Sequence, residues 1–493
     1  MTTAARGTSL LLTLLTALAL VVSPAPVAAA HPSPAGAQGA HAERSDARDP
    51  LLRRIRALPI VERVREVPRD AEHGSRFFRI WVSLPVDPAD PDGQHFSLRA
   101  TLVHVGLDRP TVLYASGYNV YWDAGFRGEV AQLVDGNQLS VEYRFFQPSR
   151  PRHPDWPTQL TISKAAADQH RIVRAFQRIY RKPWLSTGAS KGGMTMTYLR
   201  RFHPGDVAGT VAYVAPDDAD NDEDSAYGDF LASVGGDKYA DCRAALVDVQ
   251  RRILTDRDWF DARLDRYVAA HDLSLDLAGD ADHAVEEAAI ETYWAFWQYQ
   301  DAPSACDRVP GADASHRRLW DWVDEVEGWW ALTDQGVRPY VPYYFQAASQ
   351  LGWPQPYEEP VADLVRYPGF DAPESYLPRQ LRPVRFHPAA MADIDDWVRH
   401  HGRRMLFVYG ALDPWGAERF DCGPAGADRQ CSVLEQPGGN HGADVLGLPR
   451  AERRVAVRQI RAWAGLTTSR ADVPRIVRSV RPAPSAAGGR VLP

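Results

Sequence analysis

Residues Trp184 to Pro204 read WLSTGASKGGMTMTYLRRFHP, with a single Ser among glycines where a short strand runs straight into a helix. Trp184 to Thr187 reads as a buried strand, and Met194 to Phe202 has the spacing of an amphipathic helix. The chain must turn within a few residues, and Gly188, Gly192 and Gly193 supply the missing side chains that so tight a turn needs. Gly188-Ala189-Ser190-Lys191-Gly192 is the only GxSxG in the chain, and its strand, turn and helix context is that of a nucleophile elbow. The geometry lifts the Ser190 hydroxyl above the sheet. It also sets the Lys191 backbone N–H at a helix N-terminus, where a developing oxyanion is stabilised.

A serine hydroxyl attacks poorly until a base takes its proton, so the elbow demands a His and an acid to orient it, in the chain order Ser, acid, His. Asp413 follows the strand LFVY in GALDPWG, and His441 follows SVLEQPGG in NHG. Asp421 and Asp444 are the rival acids. His104, His170 and His203 fall in a strand, in a helix and after the elbow helix, none on a Gly-rich loop behind a late strand. A second oxyanion donor is expected from the loop SGYN after the strand TVLYA, with the N–H of Gly117 or of Tyr118 as candidates.

Around this constellation the chain alternates strands and helices, which indicates an α/β sheet. Phe77–Leu84 and His95–Val105 read as an antiparallel hairpin, and Thr111–Ala115, Leu139–Phe145, Val207–Pro216 and Met405–Tyr409 as further strands. Ile162–Tyr180 and Ala451–Trp463 read as helices. From 217 to 390 the texture changes to aromatic-rich helical segments such as EEAAIETYWAFWQYQ, read as a helical cap inserted into the sheet domain (50–216 and 391–466). A loosely attached tail is expected at 467–493.

Residues 1–30 carry Arg6, an apolar run from Leu10 to Val22 too short to span a bilayer, and an Ala28-Ala29-Ala30 site, the pattern of a cleaved secretory signal. Residues 31–49 read as a flexible leader or pro-segment. No other segment is apolar enough for a membrane anchor, so an extracellular location is expected. Four Cys in such a chain suggest disulfides, with Cys242–Cys306 and Cys422–Cys431 the natural pairing of three possible. No spacing supports a zinc site, and Asp218, Asp220 and Asp222 lack the Gly and Glu of a calcium loop, so no metal or cofactor is expected. A net charge of −7 without long blocks argues against a nucleic-acid partner. Lysine is scarce, four residues against 52 Arg, which makes Lys191 directly after the serine notable.

TGASKGGMT, VEYRFFQPSR, AFWQY and NHG together resemble the secreted actinobacterial prolyl tri/tetrapeptidyl aminopeptidases, over roughly residues 55 to 465. The resemblance implies an α/β-hydrolase fold with a helical cap, a triad of Ser190, Asp413 and His441, and release of short peptides from free N-termini, often after Pro. One departure is Tyr143, where the family pattern has His. The alternatives are an esterase or lipase with the same triad, which would expose aliphatic rather than anionic groups at the cap mouth, and an inactive hydrolase-like binding protein.

An enzyme that counts residues from an N-terminus must recognise the substrate ammonium, and a partly buried ammonium requires a carboxylate. Glu142 in VEYRFF is the first candidate. Asp217 and Asp218, after the strand that follows the elbow, are the others.

Overall fold

The computed structural model describes residues 49–72 and 74–481, and the expected signal and leader lie outside them. The central sheet has nine strands: β1 (Val61–Glu66), β2 (Arg76–Pro85), β3 (His95–His104), β4 (Thr111–Tyr114), β5 (Asn137–Val141), β6 (Trp184–Ala189), β7 (Gly209–Tyr213), β8 (Met405–Gly410) and β9 (Cys431–Gln436). Their order in space is β1-β2-β3-β5-β4-β6-β7-β8-β9. The first three strands and the β3–β5 pair are antiparallel, and every pair from β5 to β9 is parallel. This is the expected α/β-hydrolase sheet with an antiparallel beginning. The strand β1, VERVRE, was invisible to an apolar-period reading because it is a charged edge strand.

Parallel strands are covered on both faces. One face packs on α2 (Ile162–Phe176) and α3 (Lys191–Phe202), burying Ile172, Phe176, Met196 and Leu199 with Leu113 and Leu139. The other packs on α1 (Glu129–Leu133) and α10 (Arg450–Trp463), with Val130, Val457, Ile460 and Trp463 against Val112, Val211 and Leu406. The expected loose tail is corrected over its described part. Helix α11 (Val473–Ser479) buries Val473 and Ile476 in that same layer.

Between β7 and β8 the chain makes no strand among the described residues. It forms instead α4 (Ala240–Thr255), α5 (Arg257–Ala270), α6 (Ala281–Tyr299), α7 (His316–Val326) and α8 (Val341–Gln346), before α9 (Ala389–His401) returns to the sheet by burying Met391, Ile394 and Val398. The aromatic residues that marked this stretch do fill a core of their own. Trp320 stacks on Trp329 with ring centroids 4.0 Å apart, and Trp297 is fully buried. That core also takes in Leu412 and Trp415 from the loop after β8.

The strand expected over 139–145 stops at Val141. Beyond it the backbone turns, and Phe145 adopts φ +75°, because the loop folds around the carboxylate of Glu142. Both expected disulfides are present, Cys242–Cys306 tying α4 to the chain after α6, and Cys422–Cys431 tying the exit of the Asp413 loop to the first residue of β9. Cross-linking residues 64 apart removes chain entropy from the unfolded state worth about 4 kcal/mol. The double variant Cys242→Ser, Cys306→Ser is therefore expected to unfold at lower urea concentration. An unchanged midpoint would show that the insertion does not depend on this link.

Candidate active site

Ser190 is the one residue between β6 and α3, so the turn is tighter than the sequence reading allowed. Its φ of +55° and ψ of −130° are unfavourable for a residue with a Cβ. The strain is held by the backbone. Ser190 N–H donates to Tyr213 C=O at 2.9 Å, and Met194 N–H donates to Ser190 C=O at 3.0 Å. Gly192 has no choice of side chain, since a Cβ there would run into the carbonyl of Ala115.

The loop after β4 approaches this turn equally closely. Gly117 has φ +83°, and a Cβ on it would lie 2.7 Å from Lys191 C. The Tyr118 N–H donates to Ser116 Oγ at 3.1 Å, while Gly117 N–H has no acceptor among the described residues. Of the two candidate donors, Gly117 is thus the uncommitted one. Lys191 opens α3, so its own N–H is among the donors that a helix start leaves free.

The Lys191 side chain is buried and has no carboxylate at ion-pair distance among the described residues. Its Nζ donates to Gly117 C=O at 3.0 Å and lies 3.4 Å from the centroid of the Tyr143 ring, with Tyr118 and Phe146 beside it. Burial pushes the ammonium well below the usual lysine range. With Tyr at 143, a π face lies under the ammonium. Tyr143 is held in turn by Gln346 Nε2, which donates to its hydroxyl at 2.9 Å.

Asp413 and His441 meet as expected from their order. His441 Nδ1 donates to Asp413 Oδ2 at 2.7 Å, and Trp415 N–H donates to Asp413 Oδ1 at 3.2 Å, with Asp413 fully buried. His441 Nε2 is buried and has no partner among the described residues. The rival acids are engaged elsewhere, Asp421 with Arg399 and Gly423 N–H, Asp444 with Gly447 N–H.

Of the expected ammonium acids, Glu142 is already occupied by partners within the fold. Glu142 has no exposed side-chain surface. Its oxygens receive Arg99 Nε at 2.9 Å, Arg99 Nη2, Asn119 Nδ2 at 3.1 Å, Val120 N–H at 3.3 Å and Ser149 Oγ, so it is filled and supports the Gly117 loop. After β7 the chain bends at Val214, φ +41°, and bridges from Pro216 to Arg419, so the next two acids follow a bridge to the chain beyond Asp413. Asp217 is buried and pushed well up by that burial and by Asp395. Asp218 lies against Gly352 and is pushed up to about 8 by burial and by Asp224, Glu418 and Asp220.

What the sequence reading missed is a small cavity of about 30 Å³ lined in part by residues that hydrogen-bond Asp413 and His441. It is lined by Glu291, Trp294, Gln298, Glu327, Asp371 and Trp415, among others. Gln298 C=O accepts the backbone N–H of His441 at 3.0 Å, and Trp415 is two residues beyond Asp413. Glu287 and Glu291, one turn apart on a helix otherwise apolar on nearly all sides, were the available signal.

A strained serine elbow at a parallel-strand end, an Asp–His couple on two later strand ends and a free N–H facing the elbow together define an α/β hydrolase with a serine nucleophile. The family model for PS-10 peptidase S37 matches residues 43–486. A prolyl tri/tetrapeptidyl aminopeptidase of Streptomyces mobaraensis is 44% identical over 425 residues, covering 86% of each chain. Solved structures to which the chain is similar include a proline iminopeptidase of Mycobacterium smegmatis, at 15% identity over 82% of this chain and 99% of that one with a TM-score of 0.34. Candida antarctica lipase A in its closed state is similar at 10% identity over 86% and 90%, with a TM-score of 0.34. The chain belongs to the peptidase S37 family and is a serine peptidase.

Lys191→Met keeps the stem and deletes the donor that fixes Gly117. It is expected to lower kcat by about 10²-fold with little change in KM, since a shift of about 1 Å in a positioning group has that effect. Wild-type kcat in steady-state assays would show that Gly117 is held without it. Asp218 gives a pH prediction for stability. A carboxyl whose folded pKa lies above its unfolded value stabilises the fold fully below about pH 4 and loses that contribution as pH rises through about 8. Asp218→Asn is therefore expected to flatten the fall of the melting temperature between pH 4 and pH 8. An identical slope in the variant would place the titration elsewhere.

Proposed function

We propose that this chain is a secreted aminopeptidase that releases tri- and tetrapeptides from free N-termini, cutting after Pro, through an acyl-enzyme on Ser190. The observation that carries the reading is the Asp413–His441 couple, whose Nε2 is left unpartnered, in one chain with the strained Ser190 elbow. His441 Nε2 takes the proton as Ser190 Oγ attacks the carbonyl carbon. The resulting oxyanion is met by the N–H groups of Lys191 and Gly117. The proton passes from His441 to the departing amine, and water then repeats the sequence to free the peptide. Asp413 orients the imidazole and stabilises its cation.

The relative of Streptomyces mobaraensis supports the product length and the Pro preference by its name alone. A peptidase rather than a lipase is favoured by the cavity beside the triad, which carries carboxyls and aromatic rings instead of exposed aliphatic side chains. Two disulfides and the N-terminal pattern of residues 1–30 support secretion. The helices between β7 and β8 act in this reading as the cap over the sheet domain.

A fluorophosphonate is expected to label Ser190, and mass spectrometry of digests is expected to find intact tri- and tetrapeptides from N-termini. Ser190→Ala should lower kcat by about 10⁶-fold and Asp413→Asn by about 10⁴-fold. Release of single amino acids or internal fragments would overturn the reading, as would an active Ser190→Ala.

A further inference from the structure

Acids on α6 fall into two groups. Asp282 and Glu286 are neutralised: Arg257 donates to both at 2.7 Å, Arg366 Nη1 donates to Asp282 at 2.9 Å, and the N–H groups of Arg366 and Tyr367 donate to Glu286. Glu287, the next residue along the same helix, and Glu291, one turn beyond it, have no Arg or Lys at ion-pair distance among the described residues. They face Asp371 instead, whose Oδ1 accepts from Tyr376 at 2.8 Å, and Glu327 lies close to both. Burial, and then Asp371, push both glutamates well above the usual carboxylate range. On this helix, arginine reaches the first pair of acids and not the second.

A second set of groups is incomplete at the same place. Among the described residues, no backbone or side-chain N–H reaches either oxygen of Glu287, which is 3% exposed, and its carboxyl meets only that of Asp371. The indole N–H groups of Trp294 and Trp415, each 6% exposed, have no hydrogen-bond partner among the described residues, and both rings line the cavity with Glu291 and Asp371. About 30 Å³ accommodates a group the size of a water, which is the size of an ammonium. Buried carboxyls without a cation and buried donors without an acceptor are each costly alone, and a group bearing both N–H⁺ and C=O would satisfy them together.

We propose that Glu291 and Asp371, backed by Glu287, form the subsite for the α-ammonium of the peptide substrate, with the Trp294 and Trp415 indoles donating to the carbonyls of its first residues. This rests on the aminopeptidase reading and names the acids that Glu142, Asp217 and Asp218 were expected to supply. The cavity is linked to Asp413 and His441 through two of its lining residues: Gln298 C=O accepts the His441 N–H, and Trp415 N–H donates to Asp413.

The test compares a tripeptide p-nitroanilide ending in Pro with its N-acetylated form. In the wild type, acetylation is expected to lower kcat/KM by about 10²-fold or more. Glu291→Gln, of the same shape, should lower kcat/KM on the free substrate by about 10²-fold, mainly through KM, so that the ratio of free to acetylated rates approaches one. Asp371→Asn should act in the same direction. Fluorophosphonate labelling of Ser190 and the melting temperature report an intact triad and fold in each variant. On the wild type, alaninamide is expected to compete with the free substrate and N-acetylalaninamide is not, a measurement that needs no variant. Undiminished discrimination in both variants, or no competition by alaninamide, overturns the subsite while leaving the aminopeptidase reading in place. Equal cleavage of free and acetylated substrate by the wild type overturns that reading too.

Discussion

The approach of two backbones, with no side chain between them, is the constraint on which the site depends. The turn at Ser190 and the loop at Gly117 come from strands that are neighbours in the sheet but separated in sequence, β4 and β6. Their contact closes only because residues 117 and 192 carry no Cβ. Sheet order creates the opportunity. β4 pairs with β5 on one side and β6 on the other, so the loops leaving β4 and β6 diverge at a switch point where a ligand can enter. Lys191 then ties them by reaching back over Tyr143 to the Gly117 carbonyl. The same residue lends its N–H to the site and its side chain to the loop opposite.

Much of this was legible because it was local. A GxSxG between a strand and a helix states its own geometry, and Asp413 and His441 were readable from their position after late strands. The disulfides followed from proximity in sequence and from a shared region. The ammonium acids were misread because side-chain partners are not local. Glu142 stands on a strand end beside the right loop, but Arg99, across the sheet on β3, reaches it first. Asp217 and Asp218 follow a left-handed residue at Val214 and are buried, which their position after a strand did not show. β1 escaped notice because its pairing with β2 needs no apolar face.

Charge balance separates the supporting acids from the unsatisfied ones more clearly than position does. Glu142, Asp168, Asp282 and Glu286 are each buried or half-buried and each has an arginine. Asp217 and Asp218 are buried without an arginine at ion-pair distance among the described residues, and they are pushed above the usual carboxylate range. Glu287, Glu291 and Asp371 remain in that state at the wall of a cavity, where carboxyls this close retain protons that would otherwise leave. The stability forgone there is the kind that a binding site gives up and a ligand restores.

Leu412 and Trp415 flank Asp413, yet they pack in the core of the helical insertion, with the Trp415 ring 5.1 Å from Trp294 and 5.7 Å from Trp353. The loop that presents Asp413 therefore belongs to the sheet by connectivity and to the insertion by packing. Transplanting the insertion onto another hydrolase, or trimming it to widen the entrance, would strip the acid loop of its packing. Tyr343, Phe345 and Leu377 of the same insertion pack with Met194 and Phe407 beside the sheet, so a recombination boundary drawn at either end of the insertion would cut through shared packing.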